Sequence, residues 1–280
     1  VWCGWQTAAI GGHIIPTKST ITVGLRIEDV GTTYTGYAEF DNLTISGVAT
    51  PAVSSVPVGD IAQLWTTSYT ASGDHNMAHP ADVAVDTAGN VYVVGSAYNG
   101  LNYDILTIKY DGSGNQLWQA TYDGGDSDEG VGVSVDGSGN VYVSGRSWNG
   151  SNNDFEVVKY DSGGNQQWAT PVGNGGGDDI PVGQALDASG NLYVTGSSCL
   201  VNSCDYLTAK ITSIGNVAWS QVYNGGTYDN AVGIVLDSSG NAYVTGTSTG
   251  PSSDDIVTIK YTSSGSQAWL DRFDSGTNDH

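Results

Sequence analysis

The chain has 280 residues, 40 of them glycine, and a formal net charge of −21 from 29 acidic and 8 basic side chains. So few Lys and Arg exclude nucleic acid as a partner, because phosphate binding needs clustered cations. No apolar stretch reaches the roughly eighteen residues that a membrane-spanning helix requires.

Glycine abundance, 10 % aromatic residues and the lack of any long helical pattern point to an all-β, turn-rich protein. The acidity is lopsided, with 25 Asp against four Glu. Asp caps turns through its short carboxylate, which Glu does poorly. Calcium, which takes hard oxygen ligands from Asp-rich loops, is the other reading of the same bias.

Residues 1–47 open on Val-Trp-Cys-Gly-Trp, in what reads as mid-domain, so a targeting segment is expected to lie outside this sequence. Two alternating stretches, Ile21 to Asp29 and Tyr37 to Ser46, predict strands. The phrase GYAEFDNLTISG resembles the closing strand of jelly-roll modules, many of which bind carbohydrate, so 1–47 is expected to be part of a β-sandwich. Residues 48–59, rich in Pro, Ser and Val, read as an extended linker.

From residue 60 a unit of about fifty residues repeats to the end of the chain. Gly-Asn-Val-Tyr-Val at Gly89 and Gly139, Gly-Asn-Leu-Tyr-Val at Gly190 and Gly240's Gly-Asn-Ala-Tyr-Val mark the copies, and Trp65, Trp118, Trp168, Trp219 and Trp269 recur with them. The copy from Ala81 to Tyr122 predicts four strands: Asp82 to Asp86, Val91 to Gly95, Asp104 to Tyr110 and Gln116 to Tyr122. Both tight turns read D-x-x-G-N, with Asp as the cap and Gly supplying a positive φ. Apolar residues on both strand faces suit a small sheet packed between two others. The recurring Trp is expected to fill the layer between them.

Repeats of this length with several short strands each predict a β-propeller of four-stranded blades. The units fall near residues 70–122, 123–172, 173–223 and 224–273, preceded by a lone fourth strand around Trp65. That gives seventeen strands, so the array is expected to be part of a larger propeller. Otherwise its open blade faces would be covered by another chain or by self-association.

The string DILTIKYDGSGNQLWQATYDGGDSDEGVGVSVDGSGNVYVSG resembles the seven-bladed β-propeller (SBBP) repeat family, and the resemblance extends over roughly residues 60–280. It implies a secreted or surface-attached bacterial protein with a binding or scaffolding role. It brings no catalytic residues with it.

Lys109, Lys159, Lys210 and Lys260 share one repeat position, and Asp128, Asp179, Asp229 and Asp279 share another. Together they predict an ion pair from blade to blade, and a repeated lysine is no basis for an active site. Asp123, Asp126, Asp128 and Glu129 crowd four carboxylates into seven positions and are the calcium candidates, although they lack the spacing of an EF-hand. The loops between strands two and three vary most. They carry Tyr98 and Trp148, which could stack on sugar rings or cover a neighbouring edge. Cys199 and Cys204 flank a four-residue loop and predict a local disulfide, and with it an oxidising compartment. Cys3 is left over.

The readings that follow are a non-catalytic extracellular scaffold or binding module for a glycan or protein, an accessory region of a secreted carbohydrate-active enzyme, and a self-assembling surface component.

Overall fold

The computed structural model describes residues 64–69, 78–250 and 253–279. The predicted sandwich segment, the linker and Cys3 lie outside the described residues. Among the described residues, sixteen strands form four antiparallel sheets, each in simple up-and-down order. Blade 1 holds β1 (Ala78–Val85), β2 (Val91–Tyr98), β3 (Tyr103–Tyr110) and β4 (Gln116–Tyr122). Blade 2 holds β5 (Asp128–Val135), β6 (Val141–Trp148), β7 (Asn153–Tyr160) and β8 (Gln166–Val172). In blade 3 the strands are β9 (Asp178–Leu186), β10 (Leu192–Leu200), β11 (Ser203–Ile211) and β12 (Val217–Tyr223). Blade 4 contains β13 (Asp229–Leu236), β14 (Ala242–Thr249), β15 (Asp254–Tyr261) and β16 (Gln267–Phe273).

The fold is all-β, as the composition and repeat predict. The first strands of successive blades pack against one another, so the sheets fan out from a shared inner edge. The lone strand expected at Trp65 is not there: residues 64–69 carry no strand. A fourth strand pairs only with the third strand of its own blade, and no such strand is among the described residues before it.

The eight tight turns at one rim follow the predicted chemistry. In the first, Asp86 Oδ1 accepts the N–H groups of Ala88 and Asn90 at 2.9 Å, and Asp86 Oδ2 accepts the Asn90 amide at 2.8 Å. Equivalent bonds form at Asp111, Asp136, Asp161, Asp187 and Asp237, while Thr212 and Thr262 stand in at the remaining two turns. At Asp111 and Asp161 the side-chain amides of Asn115 and Asn165, then their backbone N–H groups, hold the carboxyl below its usual range. Much of the Asp bias is therefore turn chemistry.

These turns also receive the tryptophans. Trp118 lies between Tyr92 of its own blade and Tyr160 of the next, with both ring centroids 6.2 Å away. Its indole N–H donates to the carbonyl of Ser162 at 3.1 Å. Trp168 and Trp219 repeat the bond with Ser213 and Ser263. The turn glycine beneath each ring is required twice over. Gly164 has φ +85°, and a Cβ there would stand 2.7 Å from Trp118.

The lysines depart from the expected pairing. Each lies over the tyrosine ring of its own blade, 4.7–5.0 Å from the centroid, as Lys109 does over Tyr92. Lys210 and Lys260 then meet the turn acids Asp187 and Asp237 at 3.8 and 3.5 Å. Asp128, Asp179 and Asp229 are fully buried and bond backbone N–H groups at the other rim. The proposed blade-to-blade ion pair is thus corrected: the two repeated residues sit at opposite ends of the blades.

Burial differs along the array in a telling way. In β6 and β7 most residues are buried on both faces of the strand, because blade 2 is covered on both sides. In β14 and β15 buried positions alternate with mostly half-buried ones, and Val232 and Val235 of β13 and Trp269 and Phe273 of β16 stand 42–66 % exposed. Blade 4 thus shows an open apolar face, as the repeat count predicts.

Cys199 and Cys204 form the expected disulfide, facing each other across β10 and β11. The Cys204 N–H also donates to Thr227, tying this hairpin to the connector that follows blade 3. Replacing both cysteines by serine is expected to cost about 2 kcal/mol, the chain-entropy value for so short a loop. Urea unfolding of the double variant measures it.

Candidate functional site

The β2–β3 type loops and the connectors between blades gather at the rim opposite the tight turns. Asn99 shapes the first loop. Its Oδ1 accepts the N–H groups of Leu101 and Asn102, and its amide donates to both oxygens of Asp104 at 3.0 Å. Asn149 repeats this with Ser151, Asn152 and Asp154. The loops are therefore held by their own polar side chains, which leaves their apolar residues outward.

Trp148 ends β6 and is 36 % exposed, unlike Trp118, Trp168 and Trp219, which are engaged between blades. Tyr98 occupies the same repeat position at the end of β2. It is half-buried and meets Tyr103 edge-on at 5.4 Å, and Tyr103 lies 5.5 Å from His79. Beside them is a shallow pocket of about 310 Å³ lined by His79, Pro80, Ser96, Tyr103 and Glu129. Leu101, Leu200 and Val201 project at the loop tips with 60–91 % exposure.

Of the four calcium candidates, the structure unites only two. Asp123 and Asp128 place carboxylate oxygens within 4.8 Å of each other and of Asp104 at the start of β3. Glu129 turns the other way and pairs with Arg146 at 2.7 Å, and Asp126 accepts the N–H of Ser127. A strand's side chains alternate between its faces, so neighbours in sequence such as Asp128 and Glu129 cannot share a site. Asp104 is the residue that sequence reasoning passed over, since its copies Asp154, Asp205 and Asp255 make it look like an ordinary repeat position.

Asp128 is fully buried. Its Oδ2 accepts the Gly124 N–H at 2.6 Å, and the Ser147 hydroxyl is a further partner of the carboxylate. Burial pushes the carboxyls of both Asp104 and Asp128 up from their usual range.

Deeper in the same junction lies Glu156 of β7, 4 % exposed, where the other blades have Leu106, Leu207 and Val257. Burial pushes its carboxyl up to about 7, against the pull of a hydrogen bond from Tyr122. Burial also raises the Tyr122 phenol, with the Glu156 charge next in importance.

The junction of blades 3 and 4 handles the corresponding space differently. There the Arg272 guanidinium bonds Asp255 at 2.7 Å, Ser248 at 2.6 Å, and Tyr223 and the Gly225 carbonyl at 3.3 Å. Tyr122, Gly124, Ser147 and Asp154 are the repeat equivalents of those partners, and the strand-four position of Arg272 is Pro171 in blade 2.

Comparison with known proteins bears on the fold. No curated protein matches the sequence. Similar solved structures include a polysaccharide lyase of family PL25, an ulvan lyase bound to -[GlcA(1-4)Rha3S]-, at 10 % identity and TM-score 0.49 over 69 % of this chain and 55 % of that one. A calcium-binding protein, regucalcin from Agrobacterium tumefaciens str. C58, is similar at 12 % identity and TM-score 0.41, covering 68 % of this chain and 59 % of that one. The GH93 α-L-arabinofuranosidase of Fusarium graminearum, in complex with arabinobiose, gives 12 % identity and TM-score 0.45 over 68 % and 65 %. The chain thus spans between 55 % and 65 % of the length of these structures. Two stretches, residues 119–155 and 218–251, match the family model of the beta-propeller repeat SBBP. Those two stretches thus carry SBBP β-propeller repeats, within a fold of four successive four-stranded antiparallel sheets.

Proposed function

We propose that this chain is a non-catalytic, extracellular binding module that recognises glycans at its loop rim. The carrying observation is the contrast among tryptophans: Trp118, Trp168 and Trp219 are engaged by the next blade's turn, whereas Trp148 stands 36 % exposed at the end of β6, beside a variable loop. An exposed indole held on a strand end offers a flat apolar face at low entropic cost, which suits the C–H face of a sugar ring. The Cys199–Cys204 disulfide supports an extracellular setting. The non-catalytic reading is supported by the acids themselves: those of the tight turns repeat from blade to blade, and Asp128 and Glu156 are buried away from any substrate.

A glycan array probed with the wild-type chain and the Tyr98→Ala/Trp148→Ala double variant tests this. Binding should fall at least about tenfold in the variant, the loss expected for a stacking residue in a contact. Undiminished binding would remove the rim aromatics from the reading.

A second reading is self-association, favoured by the open face of blade 4 with Val232, Val235 and Phe273 exposed. Light scattering that finds only monomers across the accessible concentration range would end it.

A further inference from the structure

We propose that the loop rim takes uncharged glycans, and that Glu129 enforces this choice by holding the Arg146 guanidinium away from acidic sugars. The inference rests on glycan recognition at the rim and adds the charge class of the ligand to it.

The repeat supplies the first observation, because three neighbouring positions of blade 2 break it together. Arg146 stands where the other blades have Ser96, Ser197 and Thr247, and Glu129 where they have His79, Ile180 and Asn230. Trp148 takes the place of Tyr98, Cys199 and Thr249. Arg146 and Glu129 face each other directly across β5 and β6, and the guanidinium donates to Glu129 Oε1 at 2.7 Å. Side chains alternate along a strand, so Arg146 and Trp148 share one face of β6, about 7 Å apart along it. Blades 1, 3 and 4 stack without any of these three residues, so the seams do not require them.

The distribution of charge is the second observation. Among the described residues the four lysines lie over tyrosine rings toward the tight-turn rim, which leaves Arg146 and Arg272 as the cations on the loop side. Arg272 is held by Asp255 and Ser248, and Arg146 by Glu129. Asp123, Asp126 and Asp178 stand exposed on the same rim. A carboxylate or sulfate on a ligand therefore meets a negative surface with both guanidinium groups already engaged, and the like charges disfavour it. Neutral hydroxyls meet no such penalty.

Third, the pair is within reach of a ligand. The Arg146 and Glu129 side chains are 29 % and 49 % exposed, and an exposed pair of this kind contributes little to stability. Glu129 also lines the pocket of about 310 Å³ with His79, Ser96 and Tyr103. The ion pair thus borders both that pocket and the strand end that carries Trp148. A free guanidinium there would be a natural bidentate partner for an acidic sugar, and Glu129 competes for it from within the chain.

The test is a glycan array carrying neutral, uronate and sulfated saccharides, with the strongest hits titrated by calorimetry at low salt. Wild type is compared with Glu129→Gln, Glu129→Gln/Arg146→Ala and Asp126→Asn, and thermal melts establish that each is folded. Wild type should favour neutral over acidic glycans by about tenfold or more. Glu129→Gln releases the guanidinium, so the preference should shrink about tenfold. Adding Arg146→Ala should restore it. Asp126→Asn removes one charge from the same rim without touching Arg146, and should leave the preference where it was.

A wild type that binds acidic glycans as tightly as neutral ones would overturn the charge rule while glycan recognition stands. An unaltered preference in Glu129→Gln, or an equal change in Asp126→Asn, would show that Glu129 does not set the choice. A chain that binds no glycan of any class would sink recognition at the rim, and this inference with it.

Discussion

Replacing Trp168 by alanine is expected to destabilise the protein by about 3 kcal/mol, while the same change at Trp269 should cost about 1 kcal/mol. Both residues hold the same repeat position, so composition and local strand context are nearly matched. The difference is what lies in front of them. Trp168 packs on Tyr142 and Gly215 and donates to Ser213 at 3.3 Å. Trp269 touches Tyr243 of its own blade and is 42 % exposed. Urea unfolding followed by tryptophan emission measures both variants. Equal losses would mean that the Trp contributes only within its blade, and the account of the inter-blade layer would then fail.

Glu156→Gln is expected to remove a large part of the pH dependence of stability between about pH 4.5 and 8. The sign follows from burial. The folded carboxyl titrates near 7, against 4.5 for an ordinary Glu, so across that interval the folded state holds a proton that the unfolded state has lost. Stability from this group is therefore full below the unfolded value and falls as pH rises toward and through 7. The span corresponds to roughly 3 kcal/mol, at about 1.4 kcal/mol per pH unit. The glutamine variant should be the more stable protein at pH 8 and close to wild type near pH 5. Melts in EDTA across this range read the difference. A wild type that keeps its stability up to pH 8 would show that the carboxylate is accommodated ionised.

The architecture was legible because it is periodic. Each D-x-x-G-N turn, each Trp and each alternating strand appears several times, so chance agreement averages out and boundaries fall within a few residues of the observed strands. The lysine pairing was not legible. Two series with the same period say that their members keep a constant offset, but not at which end of a strand each lies. The carboxylate cluster failed for a related reason. Crowding along the chain picked Asp126 and Glu129, whereas proximity is decided by strand alternation and by a partner some twenty residues away, Asp104. Glu156, unmatched by any acid in the other copies, was the clue within reach: a charge where the repeat writes Leu or Val.

The indoles reach forward to the following turn and never backward. Among the described residues, the three seams are each made at this rim of the same two halves, a donor ring and an accepting loop. A gene that lost or duplicated one whole period would still present matching halves on either side of the change. At the indole rim a changed number of units would therefore need no new contact, whereas at the opposite rim Glu156 and Arg272 make their junctions unlike one another.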